Sequence, residues 1–515
     1  MKAKEKKSAI WTWTVAIIVG HIIAYYNDVF GIDQLIPCVL GYFAIAVILI
    51  TAVDEDEYEE VVEKNEKHEL LDLQLQKNKP LTSNNMKIPN KTIHIFGGGT
   101  FNHVRNHLAL CAPAFGSTAK RINELCHARF DKMDIHLHLT KMADSNSTLV
   151  TNEDVLMKLL ELKADYNTKI VFLNSAMCDF FGSIADTTDT YSFKKTPSGK
   201  HAERLKTKDG DQMMILTPAP KVLKQIREGR KDIFLVAFKT TCGATEQEQY
   251  LAGLDLMKKN SCNLVLANDT KTHVNMIITP EEAKYHVTTD REEALKQLVD
   301  IAFYRSHLSF TRATVVEGTP VDWNSDLVYP SLRTVVNHCI SSGAYKPFNG
   351  ATVGHFACKI GEKEFLTSIR KSNFNDLPKT GLVKVVTDSQ DTVTAYGAKP
   401  SVGGQSQRII FSEHNDYDCI VHFHCPIKAN SSVPVVSQRE FECGSHQCGQ
   451  NTSNGLKRFG NLSAVMLDNH GPNIVFHHSI DPQEVIDFID QNFDLTDKTG
   501  GLVSITKENK EALVS

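Results

Sequence analysis

The sequence predicts an α/β protein: two folded modules behind a hydrophobic N-terminus. From residue 91 to about 305, short apolar runs alternate with helical patterns, as in a mostly parallel sheet covered on both faces. From about 306 the chain changes to short strands, many turns and histidines clustered at a strand end. Its 515 residues suffice for roughly two to four domains, each able to bury its own core.

The formal net charge of -5 gives no global attraction to nucleic acid. No basic stripe interleaved with aromatic residues is present, so a nucleic-acid role is disfavoured. Twelve cysteines are too sparse for a disulfide scaffold and read as reduced, mostly buried thiols.

Residues 1–53 predict a helical hairpin. AIWTWTVAIIVGHIIAYY (9–26) and LIPCVLGYFAIAVILITAV (35–53) are both apolar, and the second carries no charge. Lys2, Lys4, Lys6 and Lys7 favour a cytoplasmic N-terminus, and two crossings return the chain to the cytoplasm near Asp54. The expectation is a membrane-anchored protein with both large domains cytoplasmic. The alternative is a buried hairpin in a cytoplasmic protein. Residues 54–90 form a charged spacer and linker, and 491–515 a C-terminal tail.

KTIHIFGGGT (91–100) reads as a strand entering a glycine turn, and AFGSTAKRINELC (114–126) as a turn entering a helix. IHLHL (135–139), KIVFLNSA (169–176), DIFLVAF (232–238) and CNLVLAND (262–269) are further strands. EDVLMKLLELK (153–163), EQEQYLAGLDLMKKN (246–260) and EEALKQLVDIAF (292–303) have helical periodicity. Parallel sheets collect ligands at the carboxyl ends of their strands, where GGGT, CDF and ANDT all fall. Glycines 97–99 suit close backbone approach and exposed amide donors, although the full dinucleotide fingerprint is absent. His136 and His138 read as one face of a half-exposed strand.

The order GGGTFNHVRNH, AFGSTAKRI, NSAMCDF, ILTPAPKVLKQI, VAFKTT and LVLANDT resembles the synthetase domain of phosphopantothenoylcysteine synthetase (phosphopantothenate–cysteine ligase). The resemblance spans about 91–305 and implies a Rossmann-like domain. It also implies CTP, Mg2+, 4'-phosphopantothenate and cysteine, with the acid activated as an acyl-cytidylate. On that basis Gly98, Gly99 and Thr100 would face phosphate, Asn268 and Asp269 would hold the nucleotide, and Asp179 would lie by the reacting groups. Lys258 or Lys259 would approach the triphosphate. Lys239, Thr240, Met177 and Cys178 depart from the family pattern at positions where the resemblance implies the acyl transfer.

In the second module, His422 and His424 alternate onto one face of a strand and can share one metal ion. His470 follows another apolar strand, and three histidines leave a position open for substrate. YGAKPS, NDYDCIVHFH and DNHG resemble landmarks of the class II aldolase/adducin family over about 306–490. That resemblance implies a class II aldolase-like α/β/α domain with an antiparallel sheet. It implies Zn2+ on His422, His424 and His470, with Thr367 and Ser368 facing a substrate phosphate. Gly403 stands where the family has its acid/base glutamate, and glycine cannot move a proton. Glu413, His414 and Glu442 are the candidate replacements. FECGSHQCGQNTSNG (441–455) reads as a substrate-binding loop or a second metal site, and His477 and His478 as exposed strand histidines.

The expected function is therefore a bifunctional enzyme: a CTP-dependent ligase-like module and a zinc-dependent aldolase or epimerase acting on a sugar-phosphate-type substrate. Its partners would be small phosphorylated substrates, a membrane and a second copy of the chain. The competing expectation is a membrane-attached binding protein that retains both folds without catalysis, which the departures at Gly403 and Lys239–Thr240 favour.

Overall fold

The computed structural model describes residues 91–184, 199–348 and 350–499. The hairpin, the spacer and the tail beyond Thr499 lie outside the described residues. Among those described, no helix is long and apolar enough to cross a membrane. Contacts join both modules into one compact unit, Lys87–Ser515.

The first module is a seven-stranded sheet of β1 (Thr92–Gly97), β2 (Asp134–Leu139), β3 (Thr168–Leu173), β4 (Phe234–Thr241), β5 (Leu264–Asp269), β6 (Asn275–Ile278) and β7 (Lys284–Thr288). Their spatial order is β7-β6-β5-β4-β3-β1-β2. The first five are mutually parallel, and β6 and β7 add an antiparallel edge. That hairpin is absent from the sequence reading because its strands are too short to show a period. Helices α1 (Ser117–Arg129), α2 (Asn152–Ala164), α3 (Glu246–Asn260) and α4 (Arg291–Ser306) cover the sheet. Ile93, Ile95, Ile170 and Phe172 pack with Ile122 of α1 and Leu298 of α4. Phe96, Val171 and Leu235 pack with Leu159 of α2 and Leu254 of α3 on the other face. Each such side chain contributes about 1.5–3 kcal/mol on burial. Capping boxes Thr151/Asp154 and Thr245/Glu248 start α2 and α3.

The second module holds β8 (Arg312–Val316), β9 (His355–Lys359), β10 (Glu364–Ser368), β11 (Leu382–Thr387), β12 (Thr392–Tyr396) and β13 (Cys419–His422). β14 (Val435–Val436), β15 (Lys457–Phe459), β16 (Leu462–Leu467) and β17 (Gly471–Phe476) complete it. They form one sheet in the order β8-β12-β11-β10-β9-β13-β17-β16-β14, with β15 paired to β16. All central pairings are antiparallel. Helices α5 (Pro330–Ser341) and α8 (Pro482–Asn492) bury Val335, Val336, Val485 and Ile489 on one face. On the other face, α6 (Gly404–Glu413) buries Ile410 and Phe411, and α7 (His446–Gly455) packs beside α6. The expected three-layer arrangement is present.

The modules meet at the amino edge of the first sheet. Arg305, at the end of α4, is wholly buried; its Nη2 lies 2.6 Å from Glu281 Oε1. Its guanidinium also donates to the carbonyls of Gln438 (3.1 Å) and Arg439 (2.9 Å). Arg439 in turn reaches Asp300 at 3.0 Å.

Candidate active sites

Antiparallel pairing gathers the candidate residues of the second module at one edge of its sheet. β13 ends at His422, β9 begins at His355 directly opposite it, and β10 ends at Ser368. His470 closes the turn between β16 and β17. Asn469 there takes a left-handed φ of 56°, a conformation asparagine tolerates better than most residues.

Ligand nitrogens of His422, His424 and His470 lie within 4.8 Å of one another. Their rings are 4.6–5.1 Å apart at 67–78°, so they face a common point and do not stack. His422 donates from Nδ1 to the Pro472 carbonyl at 2.7 Å, which leaves its Nε2 lone pair inward, 3.3 Å from His470 Nε2. A second hydrogen bond of this kind commonly orients a metal-bound histidine. The buried His470 Nδ1 has no hydrogen-bond partner among the described residues. Burial holds the His422 imidazole down to about 4. Burial, and then the neighbouring imidazoles, hold His424 and His470 well below the ordinary value. All three are therefore neutral at pH 7, as ligation requires. This donor set fits a tetrahedral zinc ion with one position to spare.

His355 is a fourth histidine at this edge, missed in the sequence. Its ring lies 4.6 Å from that of His422, and its Nδ1 is 2.9 Å from Gln407 Nε2. A Cβ on Gly403 would fall 2.0 Å from His355 Cδ2. The imidazole thus fills the space beside residue 403, and glutamate there would require His355 to move. The glycine at 403 was the available signal; its partner 48 residues upstream was not.

Other expectations are corrected. Glu413 ends α6, roughly 14 Å along the helix from Gly404. It accepts bonds from Gln450 (3.1 Å) and Ser453 (2.5 Å) of α7, which leaves it a helix-to-helix anchor. His414 likewise bonds Ser453 Oγ, at 2.9 Å. Thr367 is buried with its hydroxyl on the Phe356 carbonyl at 3.2 Å, so it cannot face a phosphate. The buried Ser368 Oγ has no hydrogen-bond partner among the described residues. Cys443, His446 and Cys448 form no metal-ligating group among the described residues; Cys448 accepts from Gln438 at 3.3 Å.

Glu442 is buried against Asn263 Nδ2 (3.0 and 3.1 Å), and burial pushes its carboxyl up to about 7 despite Arg305. A carboxyl raised in the fold stabilises below its unfolded pKa and loses that contribution as pH rises through the folded value. Thermal melts from pH 4.5 to 8 are therefore expected to show Glu442→Gln gaining on the native chain by about 3 kcal/mol. A constant gap across that range would contradict the assignment.

In the first module, Gly98 (φ 96°), Asp179 and Asn268 lie at the carboxyl edge, as expected. A Cβ on Gly98 would meet Thr140 Oγ1 at 2.2 Å, so close packing requires the glycine. The phosphate role of the next two residues is corrected. Gly99 N donates to Ala114 O (2.8 Å) and Thr100 N to Ala176 O (3.0 Å). The buried Thr100 hydroxyl donates to Asn152 Oδ1 (2.7 Å) and accepts from Cys178 N (2.9 Å). Asp269 is also spent: it accepts from Thr241 Oγ1 and from the amides of Gly243, Ala244, Lys271 and Thr272 at 2.8–3.0 Å. These bonds, led by that from Thr272, hold its carboxyl far below the usual range. It clamps two loops. Asp179 is exposed and paired with Lys221 at 2.5 Å.

Lys258 lies at the wrong edge for a triphosphate. It sits in the last turn of α3, which returns to the start of β5, while Asn268 is near the end of β5, roughly 13 Å on. Lys258 Nζ bonds Glu282 Oε1 (3.1 Å) and Pro280 O (2.9 Å). Lys498 pairs with the same carboxylate, and the adjacent Thr499 bonds the His424 and His470 carbonyls. Lys258 thus belongs to the wall beside the histidine centre. The start of α1, read in the sequence as a turn entering a helix, is uncapped and follows left-handed Gly116 (φ 76°) next to Gly98. Arg291 joins it, with Nη2 at 3.4 Å from Thr118 Oγ1.

No family model matches the chain. No curated protein matches it either. Among solved structures, the DNA/pantothenate metabolism flavoprotein of Streptococcus pneumoniae aligns with 41% of this chain and 97% of its own, at 20% identity and TM-score 0.35. The C-terminal domain of a coenzyme A biosynthesis bifunctional protein aligns over 41% and 94%, at 15% and 0.30. A sugar-phosphate aldolase of Thermotoga maritima aligns over 36% and 94%, at 15% and 0.25. Each of these three structures is similar to only part of this chain.

Proposed function

We propose that this chain is a bifunctional metabolic enzyme with a zinc-dependent aldolase or epimerase centre at His422, His424 and His470. The observation that carries this reading is the convergence of three buried, neutral imidazoles, one with an orphaned nitrogen. Bound there, zinc would supply Lewis-acid polarisation of a substrate carbonyl oxygen. Pro472 O fixes the orientation of His422, and Gln407 holds His355 against it. The Ser368 hydroxyl and the exposed cations Arg370, Lys371 and Lys399 offer an anionic handle its subsite. Lys399 feels this concentration of charge: Lys231 first, then desolvation, Arg370 and Lys371, hold its ammonium below the ordinary value. Sugar phosphates are the proposed substrates.

Incubation of the zinc-loaded chain with ketose phosphates in D2O is expected to place deuterium beside the carbonyl, as followed by proton NMR. Gly403 favours a second reading, a binding protein without turnover. Tight ketose phosphate binding with no deuterium uptake would establish that alternative.

For the first module we propose CTP and Mg2+ at the carboxyl edge, between Gly98, the start of α1, Arg291 and Asn268, with ligation of a phosphorylated acid to an amino acid. Helix N-termini suit phosphate. Asn268→Ala is expected to weaken CTP binding about tenfold, or ~1.4 kcal/mol, in calorimetry. Lys258→Met is expected to leave it unchanged. The reverse pattern would return the triphosphate to the amino edge. The two proposed sites lie at opposite edges of the first sheet. Membrane attachment through residues 1–53 and self-association belong to the same proposal.

A further inference from the structure

At the far edge of the second sheet, the start of β13 and the end of β17 bring Asp418, His477 and His478 together. One ligand atom from each lies within 4.8 Å of the others. Consecutive residues of a strand point to opposite faces. Here the chain turns after Phe476, and the His477 and His478 rings lie 4.3 Å apart on the same carboxylate.

The carboxylate is held in place. Asp418 Oδ1 accepts the His478 amide at 2.7 Å, and Oδ2 is bonded to His478 Nδ1. Tyr329 stacks on the His478 ring at 4.3 Å and 19°. Those contacts account for Asp418 and His478 as a closed turn. They do not account for His477, whose Nε2 also lies 3.7 Å from Asp418 Oδ2. Ser479 Oγ, 2.8 Å from His477 Nδ1, fixes the ring in that direction. Both imidazoles stay solvent-accessible, at 47% and 41%, so an ion can reach them.

We propose that Asp418, His477 and His478 form a second, peripheral site for a divalent transition-metal ion. Two imidazoles and a carboxylate suit borderline ions such as zinc or nickel over magnesium or calcium. The site lies roughly 13 Å along β13 from His422 and shares no ligand with the central histidines. It would tie β13 to β17, whose opposite ends carry His422 and the His470 turn.

The test uses the full chain, with zinc ions alone as the probe, in equilibrium dialysis. The native chain is expected to take up one more equivalent than His477→Gln. Asp418→Asn is expected to behave like His477→Gln. Zinc is expected to raise the melting temperature of native protein more than that of either variant. His477 is half exposed and its approach to Asp418 is a long surface contact of 3.7 Å, so His477→Gln should melt like native protein in chelator, which separates metal loss from misfolding. Equal zinc uptake by the native chain and His477→Gln would overturn the proposal. Failure of the central site would instead appear as one equivalent fewer in every protein, with the difference between native and variant preserved.

Discussion

Replacing His422 and His424 together by alanine is expected to abolish tightly held zinc. The native chain should retain about one equivalent after prolonged dialysis, measured by elemental analysis, because three buried nitrogens converge on one point. The exposed Asp418 site should empty under the same dialysis. The imidazoles are already neutral and His422 is already oriented, so little reorganisation opposes binding. Removing two of three ligands leaves His470 alone, with affinity far below what dialysis tolerates. The variant also loses two buried imidazoles, so folding must be checked by circular dichroism; His424→Gln serves as the milder substitution. Native protein that holds no zinc after loading and dialysis would sink the metalloenzyme reading and move the second module to the binding-protein class.

The second large effect is expected at Arg305. Its side chain and that of Glu281 are both 0% exposed, and they join the last turn of α4 to the β6–β7 turn beneath the second module. Arg305→Ala leaves a buried carboxylate without its partner and frees the Gln438 and Arg439 carbonyls. Such losses cost about 3–5 kcal/mol. Urea unfolding should show that loss. Arg305→Met with Glu281→Leu, which removes both charges, should recover most of it. A loss below about 1 kcal/mol in Arg305→Ala would mean that the two modules do not share this contact in solution.

Much of the architecture could be read in one dimension. IVFL, FLVAF and LVLA announced buried parallel strands because both faces of such strands are apolar. The spacing of His422 and His424 and the later DNHG singled out three candidate imidazoles, although the strand ends at His422 and His424 lies just beyond it. The β6–β7 hairpin did not announce itself, nor did the partnership of His355 with Gly403, since that contact crosses 48 residues and three further strands.

Sequence alone determined the longer periods, hence the buried parallel strands and the main helices, and it singled out the three histidines as candidates. Tertiary structure decided which polar groups remain available. Gly99, Thr100 and Asp269 have a ligand-binding composition, yet their donors and acceptors are filled by Ala114, Ala176, Asn152 and two loop backbones. It also decided at which end of a sheet a residue falls: Lys258 and Glu413 sit near promising motifs in sequence, but their helices carry them to the opposite edge. The physical reason is that side-chain period is a property of local backbone geometry. Hydrogen-bond occupancy and sheet edge depend on partners that the chain meets only once it has folded.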